Sequence, residues 1–294
     1  MTTRPGPMTF FRQSLKSDAY YADEVINIYL LRPLAAGVVW LLYPTRLTPN
    51  QLTIIAVLVG CAAAAVYLLD TPSAIVAAGL LVTTKDILDD ADGQLARAKQ
   101  QYSRRGRFLD SIGDFVVDMC LFGSITYVVY REHPDVTTIF LGILGFFGIT
   151  LRVSYHVFYQ ASFLHLEDRY KLNRIIEEVT EEDKKGDPVA LRLQVIFNLL
   201  YTWQDKIMYR IDRWCMGCRG EAKTEDDVRR WYSDKPGLRI SGLLGFGTEL
   251  ALLTICSLFN NLYLYLWLNV ILMNGIWMFG ILYRKLILTS TRTK

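Results

Sequence analysis

The chain has 294 residues, of which 52% are hydrophobic and 21% charged. That is too apolar for an ordinary soluble domain and too charged for a bare helical bundle, so the charge must sit in connections. The net charge of +3 is too small to point to a nucleic-acid partner.

Residues 1–22 are polar and lack an apolar h-region, so the sequence reads as having no cleaved signal peptide. Residues 25–43 are apolar but interrupted by Arg32 and Pro33, and the unbroken part, 34–43, is too short to span a bilayer. It reads as an amphipathic helix lying in the interface. Pro44 ends it, and Thr48-Pro49-Asn50 looks like the start of the next helix.

A spanning helix needs about 20 largely apolar residues. Six segments qualify: 50–69, 73–93, 106–130, 137–159, 238–259 and 262–283. The expected fold class is therefore an all-α integral membrane protein, with six transmembrane helices and an N-terminal interfacial amphipathic helix. The second segment turns polar at Thr83, Thr84, Lys85 and Asp86, so that end must face protein or a wet cavity. The chain then divides into 1–48 (polar N-terminus and interfacial helix), 49–160 (four spans), 161–237 (a helical insertion) and 238–294 (two spans and a basic tail). Six spans put both termini on one side. The connections on that side carry Arg97, Lys99, Arg104 and Arg105, and both tails are rich in Lys and Arg. The positive-inside rule makes that side, with both termini, cytoplasmic.

The insertion is charged over 173–187 and amphipathic over 189–214. Trp203, Tyr209 and Trp214 favour a helix at the membrane interface or on the bundle over a soluble helical hairpin. Cys215 and Cys218 form a lone C-x-x-C, which without a second pair or a nearby histidine is weak support for zinc.

From Asp86 the chain reads D-I-L-D-D-A-D-G-Q-L-A-R, followed after eight residues by G-R-F-L-D-S-I-G-D. Asp89 and Asp92 share one helical face; so do Asp110, Asp114 and Asp118 on the next helix. Antiparallel neighbours with a short connection can bring the two faces together. Carboxylates that close cannot all stay ionised without cations. Two divalent ions would balance them and would clamp the oxygens of a transferring phosphoryl group. Gly93, Ala96 and Gly106 lack bulk where a ligand would approach, and Arg97 can meet a diphosphate with its planar fork.

The fixed positions form D-x2-D-G-x2-A-R-x8-G-x3-D-x3-D, a pattern with a chance on the order of 10⁻¹⁰ per start position. It resembles the signature of the CDP-alcohol phosphotransferase (CDP-alcohol phosphatidyltransferase) family, as do the T-P-N at 48–50 and an interfacial helix followed by six spans. The resemblance is good over residues 25–160, weaker in the insertion, and only hydrophobic in the last two spans. It implies a membrane enzyme of phospholipid biosynthesis that moves a phospho-alcohol from a CDP-linked donor to an acceptor hydroxyl and releases CMP. It further implies Asp89, Asp92, Asp110 and Asp114 as ligands of Mg²⁺ or Mn²⁺, in two ions, and Asp114 as general base. Gly93, Ala96, Arg97 and Gly106 are implied as nucleotide-binding positions, and the assembly as a homodimer.

Two substrate layouts are open. In one, CDP-diacylglycerol is the donor to a small polar alcohol, which the compact chain mildly favours; in the other, a small CDP-alcohol of the choline, ethanolamine or inositol type gives its headgroup to a lipid or polyol. A cation transporter would spread its acids across the membrane, whereas these gather at one level, and a silent scaffold gives no reason to keep all eight positions.

Other residues carry less. Asp90 is expected to face away from Asp89 in an ordinary ion pair; Asp86 with Lys85, or Asp118, would tune the site. Arg152 either snorkels or binds a substrate anion. Arg104 and Arg105, between the motif helices, are expected to contact phosphates or headgroups. His156 reads as a helix-end polar residue, and His133 and His165 have no evident partner.

Overall fold

The computed structural model describes residues 21–166, 179–217 and 224–288. All the regular elements there are helical: α1 (Asn27–Leu42), α2 (Pro49–Tyr67), α3 (Pro72–Lys99), α4 (Arg104–Glu132), α5 (Val136–Leu166), α6 (Glu181–Lys185), α7 (Pro188–Met216), α8 (Glu225–Tyr232), α9 (Lys235–Gly242), α10 (Phe246–Leu258) and α11 (Leu262–Leu286).

Local chemistry sets the starts. Thr48 caps α2 in a reciprocal box with Gln51, and Pro49 occupies the first turn, where its missing N–H costs nothing. Thr71 caps α3 by accepting from Ala74 N, with Pro72 in the first turn but no reciprocal partner, and the Ser103 hydroxyl accepts from Gly106 N at 2.9 Å to start α4. In α1 the helix runs through Pro33. A π-helical stretch, Asn27–Leu31, precedes it and re-routes the hydrogen bonds that a proline disrupts.

Among the described residues, four helices are long and apolar enough to cross a membrane: α2, α4, α5 and α11. The pair α9 and α10 passes only together and is bent by 41°. The segment expected as the second span is α3, 28 residues long, but its acidic and basic second half keeps it off this count. It also does not stop at 93. The motif stays helical to Lys99, and the expected connection 94–105 shrinks to residues 100–103, turned by Gln100 in the left-handed conformation (φ 54°). The architecture is that of an all-α membrane protein with four apolar spans, or five if the bent pair is one.

Helices α2, α3 and α4 pack most intimately, and small residues make this geometry available. A methyl on Gly60 would lie 2.6 Å from Val117 Cγ1, and one on Gly113 would collide with Val57, so α2 and α4 meet at two glycine notches. Gly79 gives α10 the same access to α3 through Ser257. The central core includes Ala63, Tyr67, Val82, Val117, Ile125, Leu253 and Leu266. On the motif side, α1 closes over α2 and α3 with Ala35, Val39, Leu52, Ala91 and Leu95.

The bend between α9 and α10 has a distant cause. Gly245 leaves room for Glu24, whose carboxylate accepts from Thr248 N at 2.9 Å and supplies the missing cap of α10. Burial raises that carboxyl to about 8.

The insertion rests on the bundle. Helix α7 packs on α4 and α5, with Tyr159 Oη donating to Asp212 Oδ1 at 2.9 Å and Trp231 Nε1 donating to the same oxygen at 2.9 Å. Its outward face shows Val195, Ile196, Leu199, Trp203, Tyr209 and Trp214. Cys215 is buried and donates to Ile281 O at 3.7 Å, and burial pushes its thiol up to about 11, the opposite of a thiolate ligand. Cys218 lies outside the described residues.

Candidate active site

The last three turns of α3 and the first three of α4 follow one another across the tight 100–103 turn and both pack on α2, with little direct packing between them. Each helix keeps its aspartates on one face by its 3.6-residue period. As a result Asp89, Asp92 and Asp110 each bring a carboxylate oxygen within 4.8 Å of the others. Asp92 is buried; Asp89 and Asp110 are half-buried. Asp110 Oδ1 is buried with no hydrogen-bond partner. Three hard oxygen donors converging on one point, one of them unsatisfied, fit a divalent cation of the Mg²⁺ or Mn²⁺ kind.

Helix α2 forms the third wall. Thr53, one turn inside its start, donates its hydroxyl to Asp92 Oδ2 in a close contact and fixes that carboxylate. Asn50 Oδ1 accepts from the Ser103 hydroxyl at 3.3 Å, seating the 100–103 turn on α2. The Lys99 ammonium donates to Thr45 O at 2.9 Å and Leu47 O at 2.7 Å, tying the loop before α2 to the end of α3.

Asp114 stands one turn beyond Asp110 and outside the three-acid group. Its Oδ1 is held by the Lys85 ammonium, which also lies 3.7 Å from Asp89 Oδ2. Lys85, which the sequence groups with Asp86 as a pair that would tune the site, turns toward the motif. Its position four residues before Asp89 is the signal that would have placed it there.

The small residues divide into two kinds. A methyl on Gly93 would meet nothing nearer than Arg97 Nη1 at 3.6 Å, so packing does not require glycine there. A methyl on Gly106 would lie 2.6 Å from Asn50 Oδ1 and 3.0 Å from Ser103 Oγ, so packing alone requires glycine there. Ala96 is half-buried, and Arg97 is exposed on the last turn of α3.

The remaining arginines have protein partners. Arg104 pairs with Asp183, and Arg105 holds Asp187 through both Nε and Nη2, which keeps the Asp187 carboxyl below its ordinary range. These two pairs strap the insertion to the motif turn. Arg152 is fully buried. Its Nε donates to Glu249, and its Nη1 donates to Asn274 Oδ1 at 2.7 Å. It therefore does not reach the headgroups. Tyr201 of α7 donates to Ser111 O at 2.6 Å, and Phe197 packs on Phe108 with ring centroids 5.3 Å apart, so α7 walls the flank of the motif half of α4. Asp90 Oδ2 is buried without a hydrogen-bond partner, Asp118 is buried, and His133 stacks on Tyr263 at 4.3 Å. His156 is buried inside α5 rather than lying at a helix end.

The family model for CDP-alcohol phosphatidyltransferase matches residues 46–218, more than half of the chain. Among curated proteins, the "Bifunctional IPC transferase and DIPP synthase" of Thermococcus kodakarensis is 33% identical over 123 residues, 42% of this chain and 27% of that protein. The protein of the same name from Archaeoglobus fulgidus is 37% identical over 116 residues, 40% of this chain and 22% of its own length. The "Archaetidylinositol phosphate synthase" of Pyrococcus horikoshii is 37% identical over 105 residues, 35% of this chain and 52% of its own. The chain thus spans about a quarter of the bifunctional relatives and about half of the third.

Proposed function

The chain is a member of the CDP-alcohol phosphatidyltransferase family, and from that premise we propose that it transfers a phospho-alcohol group from a CDP-linked donor to an acceptor hydroxyl and releases CMP. The observation that carries this reading is the convergence of Asp89, Asp92 and Asp110 within 4.8 Å on two adjoining helices, with Asp114 one turn away. Asp89, Asp92 and Asp110 would hold Mg²⁺ or Mn²⁺, which when bound cancels charge on the transferring phosphoryl oxygens.

The protein's own groups do the rest. Arg97 and the open surface at Gly93 receive the diphosphate, the guanidinium by paired hydrogen bonds and the glycine by leaving the backbone approachable. The acceptor oxygen attacks the phosphorus that carries the donor alcohol. A new P–O bond forms, the bond to the CMP phosphate oxygen breaks, and CMP leaves with that electron pair. Asp114 takes the acceptor proton. Phosphoryl displacement of this kind needs positioning and charge cancellation more than covalent help.

In this reading α3 and the bent pair complete six spans. The motif face is cytoplasmic, supported by Arg97, Lys99, Arg104 and Arg105 at the motif turn. The donor is of the CDP-diacylglycerol type and the acceptor a small polar alcohol. The name of the Pyrococcus relative makes an inositol phosphate the first acceptor to try. The other layout, a small CDP-alcohol donor, is the second. The test is CMP release by purified protein with Mg²⁺ or Mn²⁺ across a panel of CDP-donors. Release with a lipid donor alone supports the first layout, release with a small CDP-alcohol alone supports the second, and release with none refutes both.

A further inference from the structure

We propose that Lys85 takes the place of one cation in the motif, so that this chain holds a single divalent ion, among Asp89, Asp92 and Asp110, where its signature leads one to expect two. The inference rests on the phosphotransfer reading of the same site and concerns a residue outside the signature.

The placement is built in. Lys85 lies one helical turn before Asp89 on the same face of α3, and it is 2% exposed. Its stem runs past the glycine notch of α2, where a methyl on Gly60 would lie 3.2 Å from Lys85 Cγ. The far side of the ammonium is closed by the Phe246 ring, 5.6 Å from Nζ to its centroid. The ammonium donates to Asp114 Oδ1 and stands 3.7 Å from Asp89 Oδ2.

A second ion in such a site lies about 3.5–4 Å from the first and needs ligands from both sides of the pair. The ligand that such an ion would add to the three-acid group is Asp114, with Asp89 lying between the two. The ammonium already engages the first and adjoins the second, as a compact charge with its donors aimed at oxygen. Asp114 stands outside the three acids that close within 4.8 Å and is held by the ammonium instead.

The experiment counts bound Mn²⁺ per chain on the purified full-length protein by equilibrium dialysis, with Asp92→Asn as the background for surface acids, and records the electron paramagnetic resonance spectrum. The wild type is expected to hold one ion with the signal of an isolated Mn²⁺. Lys85→Met is expected to hold two with the signal of an exchange-coupled pair. Two coupled ions in the wild type overturn the proposal without need of any variant. One ion in a Lys85→Met protein that unfolds at the wild-type temperature also overturns it, because the vacated place is then not a cation site. No ion above background in the wild type removes the proposal together with the metal site. CMP release in Mg²⁺ then decides separately whether the phosphotransfer reading survives.

Discussion

Arg152 and Glu249 form an ion pair in which neither side chain is exposed, and it joins α5 to α10 inside the bundle. Asn274 accepts from the same guanidinium, and Asn269 Nδ2 donates to the other Glu249 oxygen at 3.0 Å, so α11 is drawn into the junction. Removing one partner of such a pair strands a buried charge, at about 3–5 kcal/mol, whereas replacing both by apolar groups is often neutral. Arg152→Gln should therefore lower the unfolding temperature in detergent strongly, and Arg152→Met with Glu249→Leu should recover most of it. Substrate KM values of the folded Gln variant should stay at wild-type level. A stable Arg152→Gln protein with a large rise in KM for one substrate would return this residue to substrate binding.

Asp89→Asn, Asp92→Asn and Asp110→Asn should each abolish turnover and reduce Mn²⁺ retention, since each withdraws an anionic ligand from the group closing within 4.8 Å. Metal content and CMP release, measured on the same preparations, check this. Full activity in a chelator contradicts the metal site.

Asp114→Asn should separate binding from chemistry. The amide keeps the volume but accepts no proton. CMP should still bind near wild-type affinity while transfer falls on the order of 10²–10⁴-fold. Near wild-type transfer in this variant removes the general-base role.

The two motif glycines should fail differently. Gly93→Ala meets only Arg97 Nη1, at an ordinary contact distance of 3.6 Å, so the protein should fold normally and show a raised KM for the CDP-donor alone. Gly106→Ala presses on Asn50 Oδ1 and Ser103 Oγ, so it should lose stability by about 1–3 kcal/mol. Pairing thermal unfolding with donor titration distinguishes the two. The opposite pattern would exchange the assignments.

What the sequence made legible was local. The motif spacing put the aspartates on two helical faces, and T-P-N marked the start of α2, because period and capping act within a few residues. Long-range partners were hidden. Glu249 is 97 positions from Arg152, and Glu24 reaches Thr248 across 224, with no pattern in either segment announcing the contact. The end of the second span was misread because hydropathy stops at Thr83 whereas hydrogen bonding does not. A helix walled by α1, α2 and α10 carries polar residues to Lys99. Thr53 is silent in the sequence because a hydroxyl in an apolar run looks like a tolerated polar group until α3 is set against it, and Asn50 reads only as part of a helix start.

The most direct test is acceptor-dependent release. Purified protein with Mg²⁺ and CDP-diacylglycerol is given an inositol phosphate, and CMP and lipid product are quantified together. CMP released only when acceptor is present, in equal amount to a new phosphodiester lipid and absent from Asp114→Asn, is the predicted result. If no combination of CDP-donor and alcohol acceptor yields CMP from a folded, metal-loaded protein, the phosphotransfer account is contradicted.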